Sequence, residues 1–110
     1  MFLGVAFGAF GAHGLKDTLT QEGKQVYQTA VLYHLIHGLA LLAVGWLATL
    51  KPMEPLIQRA GWAFVIGIVL FSGSLYLLAV TGIKKLGLIT PFGGLAFLLG
   101  WLLLALAVKR

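Results

Sequence analysis

Three long apolar runs constrain the fold of this chain more than any other feature. They cover residues 26–50, 60–82 and 88–108, and charged residues, glycine or proline border each of them. The last run alone would form a helix of about 31 Å, which matches the roughly 30 Å hydrocarbon core of a bilayer. Runs of this length are typical of membrane-spanning helices.

The composition supports a lipid environment. Of the 110 residues, 60% are hydrophobic and only 10% are charged, and the mean hydropathy is +0.99. A water-soluble domain needs a more charged surface than this chain can supply. We therefore expect one integral membrane domain over residues 1–110, with the lipid bilayer as its first partner.

The net charge of +5 does not indicate a nucleic-acid partner. The Lys and Arg residues stand singly or in pairs near the ends of the apolar runs, where they are expected to anchor helices at the membrane surface. The chain has no cysteine, which excludes disulfides and thiolate metal sites. Lys16, Lys24, Lys84 and Lys85 balance Lys51, Arg59, Lys109 and Arg110 across the membrane, so the orientation stays open.

The breaks between the runs predict four helices, at residues 1–13, 19–50, 60–82 and 90–108. Thr18 with Gln21 resembles a capping box, and residues 51–55 contain two prolines that interrupt a helix. Thr90 and Pro91 suit the N-cap and first position of the last helix.

The first helix is short, at about 20 Å. It is either a partial span or the end of a longer apolar segment. A signal peptide is disfavoured because no Lys or Arg precedes Lys16.

Small residues predict which faces of the helices meet. On the second helix, Tyr27, His34, Gly38, Leu41 and Gly45 fall within about 60° of one another, so this stripe should face protein. Glycine and alanine form a similar stripe on the last helix, at Gly93, Ala96, Gly100 and Ala107. The third helix carries small and polar residues on two opposite sides. A central position in the monomer, a homo-oligomer or a larger membrane complex would each explain that pattern.

Four segments carry a resemblance to a known family. They are residues 8–15 (GAFGAHGL), 27–38 (YQTAVLYHLIHG), 71–76 (FSGSLY) and 89–94 (ITPFGG). The chain resembles the YgdD-type family of small bacterial membrane proteins, catalogued as domain of unknown function 423. The resemblance implies a four-helix integral membrane protein and no established activity. It also implies that more residues usually precede the first segment.

The residues that could carry chemistry centre on His34 and His37. They are about 60° apart on one helix, and His34 lies roughly 12 Å into the apolar region. The pair could bind a metal ion, a quinone, a lipid headgroup or a proton. Alternatively, each imidazole hydrogen-bonds a hydroxyl or a carbonyl of a neighbouring helix, for which Ser72, Ser74 and Tyr76 are available. We favour this second interpretation.

Enzymatic and metal sites have little support in the sequence. The acidic residues Asp17, Glu22 and Glu54 are all expected in loops, which argues against an intramembrane proton relay and against paired-carboxylate hydrolysis. His13 is the only further histidine and is expected at the end of the first helix, so a metal or haem site would be incomplete. We expect no metal and no cofactor.

These observations predict an all-α, four-helix membrane bundle with a short first helix, in the bacterial inner membrane. Our first hypothesis is a non-enzymatic accessory or assembly subunit whose histidine pair fixes helix packing. The second is a binder or carrier of a small molecule, lipid or quinone between the first three helices, at His13, Tyr33, His34, His37, Ser72 and Tyr76.

Overall fold

The computed structural model describes residues 1–13 and 20–109. All the secondary-structure elements in these residues are helices. The elements are α1 (Phe2–His13), α2 (Gln21–Leu50), α3 (Pro55–Gly67), a π-helical turn (Ile68–Ser72), α4 (Gly73–Thr81), a 3-10 helix (Lys84–Leu88) and α5 (Thr90–Lys109). Because α3, the π-helical turn and α4 follow one another without a break, they form one long helix (Pro55–Thr81). It is here called the third span, because it follows α1 and α2 in the chain. The all-α prediction is confirmed.

Within the described residues, three helical segments are long and apolar enough to cross a bilayer. They are Gln21–Leu50, Pro55–Thr81 and Lys84–Lys109. In contrast, α1 has 12 residues and reaches only about 18 Å. The prediction of a short first helix in an integral membrane protein is confirmed.

The helices begin at other residues than the sequence indicates. Thr20 caps α2, because its hydroxyl accepts the Gly23 N–H at 2.9 Å, whereas the predicted capping residue Thr18 lies outside the described residues. The next helix starts at Pro55 rather than at residue 60. The Glu54 carboxylate accepts the Leu56 N–H at 3.2 Å, and proline suits the first helical position because no N–H is needed there.

Thr90 is not the N-cap of the last helix. It is already the first residue of α5, and its hydroxyl lies 2.6 Å from that of Ser74 in α4. The expectation that Glu22 lies in a loop is also wrong. Glu22 belongs to the first turn of α2, before the apolar run begins.

The third span occupies the middle of the molecule. One of its sides meets α2, where the Ser72 hydroxyl donates to the Ala30 carbonyl at 2.8 Å, and another meets α5, where Gly67 touches the Phe97 ring. The buried core lies between these helices and includes Ile57, Phe64 and Leu104. Central placement therefore accounts for the small and polar residues on two sides of this helix.

The first helix lies against the outer side of α2. A methyl group at Gly4 would lie 2.8 Å from the Leu35 side chain, and one at Gly8 would lie 3.3 Å from Val31. Large apolar side chains cover the outward faces of the other helices, and Leu42, Val69 and Leu98 are well exposed. These faces suit direct contact with lipid.

Candidate functional site

The candidate residues fall into two aromatic clusters, one around each histidine of α2. The His37 cluster joins α2, the third span and α5, and the His34 cluster joins α1, α2 and α4. Both rings belong to α2, and they are neighbours on its surface because they are three residues apart. They nevertheless contact different neighbours.

Both ring nitrogens of His37 are hydrogen-bonded inside the protein. Nδ1 lies 2.8 Å from the Tyr33 carbonyl oxygen, and Nε2 lies 3.0 Å from Trp101 Nε1. An indole N–H can only donate, and a carbonyl can only accept. His37 Nε2 must therefore accept from Trp101 and Nδ1 must carry the proton that it donates to Tyr33, which makes this imidazole a neutral ring of defined tautomer.

Aromatic rings enclose His37. The Phe97 ring stacks on it at 3.6 Å between centroids with 10° between planes, and the Phe64 centroid is 5.6 Å away. The side chain is only 3% exposed. A neutral, stacked and hydrogen-bonded imidazole is a stable arrangement at this depth, since a charged ring or an unbonded nitrogen would be costly in lipid.

The His34 ring has one bonded nitrogen. Its Nδ1 lies 2.9 Å from the Tyr76 hydroxyl, and either atom can be the donor. The Tyr76 ring in turn contacts Phe7 at 4.9 Å and Tyr27 at 5.2 Å between centroids. The hydroxyl of Tyr27 donates to the Phe7 carbonyl at 2.5 Å, which fastens α1 to this cluster.

The second nitrogen of His34, Nε2, forms no hydrogen bond with the described residues. The residue is 8% exposed, so this nitrogen lies close to the edge of the protein interior. It is the one histidine nitrogen in the described spans that is free to accept or donate a further bond.

The other predicted site residues are Tyr33, which lies beside His37, and Ser72 and His13, which belong to other elements. Tyr33 stacks against His37 and packs at a tilt of 47° on Phe71, while 37% of its surface stays exposed. Ser72 is fully buried, and its hydroxyl donates to the Ala30 carbonyl. His13 ends α1, and its side chain lies outside the described part of the structure. The role of the six residues, as a ligand site or as packing contacts, stays a prediction.

Sequence reasoning missed Trp101, Phe97 and Phe7. Trp101 supplies a hydrogen bond to His37. One signal was available, because Trp101 follows Phe97 by four residues and so shares its helix face, next to Gly93 and Gly100. An indole on a protein-facing stripe needs an acceptor, and His37 offers one.

The described residues hold no group of three or more potential metal ligands. To bind a metal, His37 would have to give up its bond to Trp101 or to Tyr33. The chemistry that the arrangement supports directly is hydrogen bonding and stacking between helices.

Comparison with known proteins identifies the family. The chain is 48% identical over 108 residues to the UPF0382 membrane protein YwdK of Bacillus subtilis (strain 168), covering 98% of this chain and 88% of that protein. It is 45% identical over 108 residues to a UPF0382 membrane protein of Staphylococcus epidermidis (strain ATCC 12228 / FDA PCI 1200), covering 98% and 87%. No solved structure matches. These bacterial relatives indicate the cell membrane.

A family model described as "Protein of unknown function (DUF423)" matches residues 7–94, which include His34, His37 and Tyr76 but not Phe97 or Trp101. This stretch contains all four segments on which the resemblance rested. It ends near the start of α5. The chain belongs to this family of membrane proteins.

Proposed function

We propose that this chain is a non-enzymatic structural subunit of the membrane, of an accessory or assembly type, whose intramembrane histidines join its helices. One observation carries the proposal: both nitrogens of His37 are used within the protein, by Tyr33 and by Trp101. A histidine that served a ligand or a proton path would keep a nitrogen available for it.

The contacts of the histidines support the same role. Histidines of membrane helices hydrogen-bond across to neighbouring helices, and small residues let the backbones approach. His37 connects α2 to α5, and His34 connects α2 to α4. The two rings therefore link α2 to the third span and to the last helix. Each contact joins residues that are far apart in the sequence.

The test combines stability with a search for bound species. Wild-type protein and the His37→Phe variant are purified in mild detergent, and absorbance spectra, elemental analysis and the free energy of unfolding are measured. Phenylalanine keeps the stacking on Phe97 but leaves the Trp101 N–H without an acceptor, so we expect a loss of about 1–2 kcal/mol. Wild type should carry no stoichiometric metal or chromophore. A bound species that the variant loses at unchanged stability would contradict the proposal.

A second candidate function, a small-molecule or lipid-quinone binder, is favoured by the unbonded Nε2 of His34. Organic extracts of wild type, His34→Phe and His37→Phe would be compared by mass spectrometry. The binder function predicts a species that wild type and His37→Phe retain and that His34→Phe loses. If all three extracts are the same, the binder function fails.

A further inference from the structure

A groove of about 440 Å³ runs between α1 and α2, away from the histidines. Its wall on α1 is made of small residues, Gly8, Gly11 and Ala12. Its wall on α2 consists of Lys24, Tyr27, Gln28, Val31, Leu32 and Leu35. At 100° per residue, the middle of that wall lies about 100° around α2 from His34.

The groove changes from polar to apolar along the membrane normal. Lys24 and Gln28 lie at the end near the cap of α2, and Val31 and Leu35 lie deeper. The distance from Lys24 to Leu35 is about 17 Å of helix, close to the roughly 15 Å thickness of one hydrocarbon leaflet. The groove therefore has the length and the polarity of a single membrane lipid.

The polar end carries the positive charge of Lys24. Lys24 is half-buried, and its ammonium group makes no hydrogen bond or ion pair with residues 1–13 and 20–109. Glu22 does not neutralise it, because two helical residues project about 160° apart. Glu22 lines a different groove together with Thr81 and Lys84.

We propose that this groove binds one phospholipid with an anionic headgroup. The Lys24 ammonium contacts the phosphate, the Gln28 amide donates to headgroup oxygens, and one acyl chain lies against Val31 and Leu35. Ala12 leaves room for the lipid at the polar end because its side chain is small. This inference is independent of the function proposed above, since it uses neither His34 nor His37.

Native mass spectrometry of the full chain in detergent tests the proposal. Dioleoylphosphatidylglycerol and dioleoylphosphatidylcholine are added at equal concentration, and one phosphatidylglycerol per chain should be retained in preference. Lys24→Gln should weaken phosphatidylglycerol binding about fivefold, the contribution of one lysine near an anionic lipid surface, and leave phosphatidylcholine unchanged. Lys84→Gln is the matched control, because Lys84 lies in the groove on the other side of α2, and it should bind as wild type does.

A second variant tests the space between α1 and α2 at the polar end of the groove, where Ala12 follows Gly11, the residue that packs on Tyr27. Ala12→Leu places a larger apolar side chain in the groove without changing the charge, so it should lower the retention of both lipids. Equal retention of the two lipids by wild type would overturn the proposal. So would equal losses in Lys24→Gln and Lys84→Gln, or full retention by an Ala12→Leu protein whose helical circular dichroism matches that of wild type.

Discussion

His34 and His37 differ in how completely the protein satisfies them. Their spacing predicts that they share a helix surface and lie where helices meet, and both are buried in the structure. Tyr76, one of the three hydroxyl-bearing candidates in the sequence, bonds to His34. The Trp101 indole that bonds to His37 is not among those candidates. Which hydroxyl faces which nitrogen depends on the rotation of α4 and α5 against α2, and a helical period within one segment does not determine that rotation.

The Tyr76 hydroxyl should contribute to stability through His34. Tyr76→Phe removes the partner of His34 Nδ1, and we expect a loss of about 0.5–1.5 kcal/mol in the free energy of unfolding in mixed micelles. Tyr33→Phe is the control, because the Tyr33 hydroxyl bonds to none of the described residues. Equal effects of the two substitutions would show that the His34 bond is unimportant.

The Trp101 indole should matter in the same way for His37. Trp101→Phe keeps an aromatic ring against Phe64 but removes the N–H donor, so a loss of about 1 kcal/mol is expected. Trp62→Phe serves for comparison, because Trp62 is 62% exposed and has no hydrogen bond with the described residues. Unfolding of both variants would be followed by the same assay, and an unchanged Trp101→Phe protein would argue against the His37 contact.

Among the helices, the third span departs most from a regular α-helix. Its π-helical turn shifts the register, so that Gly73 N–H bonds to the Ile68 carbonyl. The turn brings the Phe71 backbone against Gly93 of α5, where a methyl group would lie 2.7 Å from Phe71 Cα. The sequence predicts an apolar helix here and small residues on α5. It does not predict the turn, because the extra residue is accommodated by contacts with other helices rather than by local preference.

Gly93 should therefore tolerate no side chain. Gly93→Ala forces a methyl group against the Phe71 backbone, which cannot rotate away, and we expect a loss of roughly 2–3 kcal/mol. At the neighbouring Gly94 a methyl group would lie 3.9 Å from the Phe71 ring, an ordinary contact. Gly94→Ala should be neutral or slightly stabilising, because alanine favours helix over glycine. Similar unfolding free energies for the two variants would contradict the close approach of α5 to the turn.

The whole molecule was the most predictable scale. Composition and the apolar runs suffice to predict a membrane protein, because a water-soluble domain of this size could not bury so much apolar surface. The helix starts at Pro55 and Thr90 were less predictable, because a proline or a threonine can belong equally to a break or to a first turn. The Thr90 hydroxyl is used by Ser74, a contact between helices that no local pattern reveals.

The placement of the tryptophans gives a prediction for the whole molecule in a bilayer. Trp46 and Trp62 are 64% and 62% exposed and lie on either side of the connection between α2 and α3. As interface residues they should share one shallow depth. Proteins with a single tryptophan at either position should be quenched most by lipids brominated near the headgroup. Strongest quenching by lipids brominated at the chain ends would contradict this placement.

The state of the His37 ring tests the central claim most directly. Nitrogen-15 NMR of histidine- and tryptophan-labelled protein in bilayers distinguishes a protonated ring nitrogen from an accepting one. The account predicts a neutral His37 with the proton on Nδ1 and with Nε2 coupled to the Trp101 N–H. A cationic His37, or a neutral ring with its proton on Nε2, would contradict the claim that this histidine is fully bonded between helices.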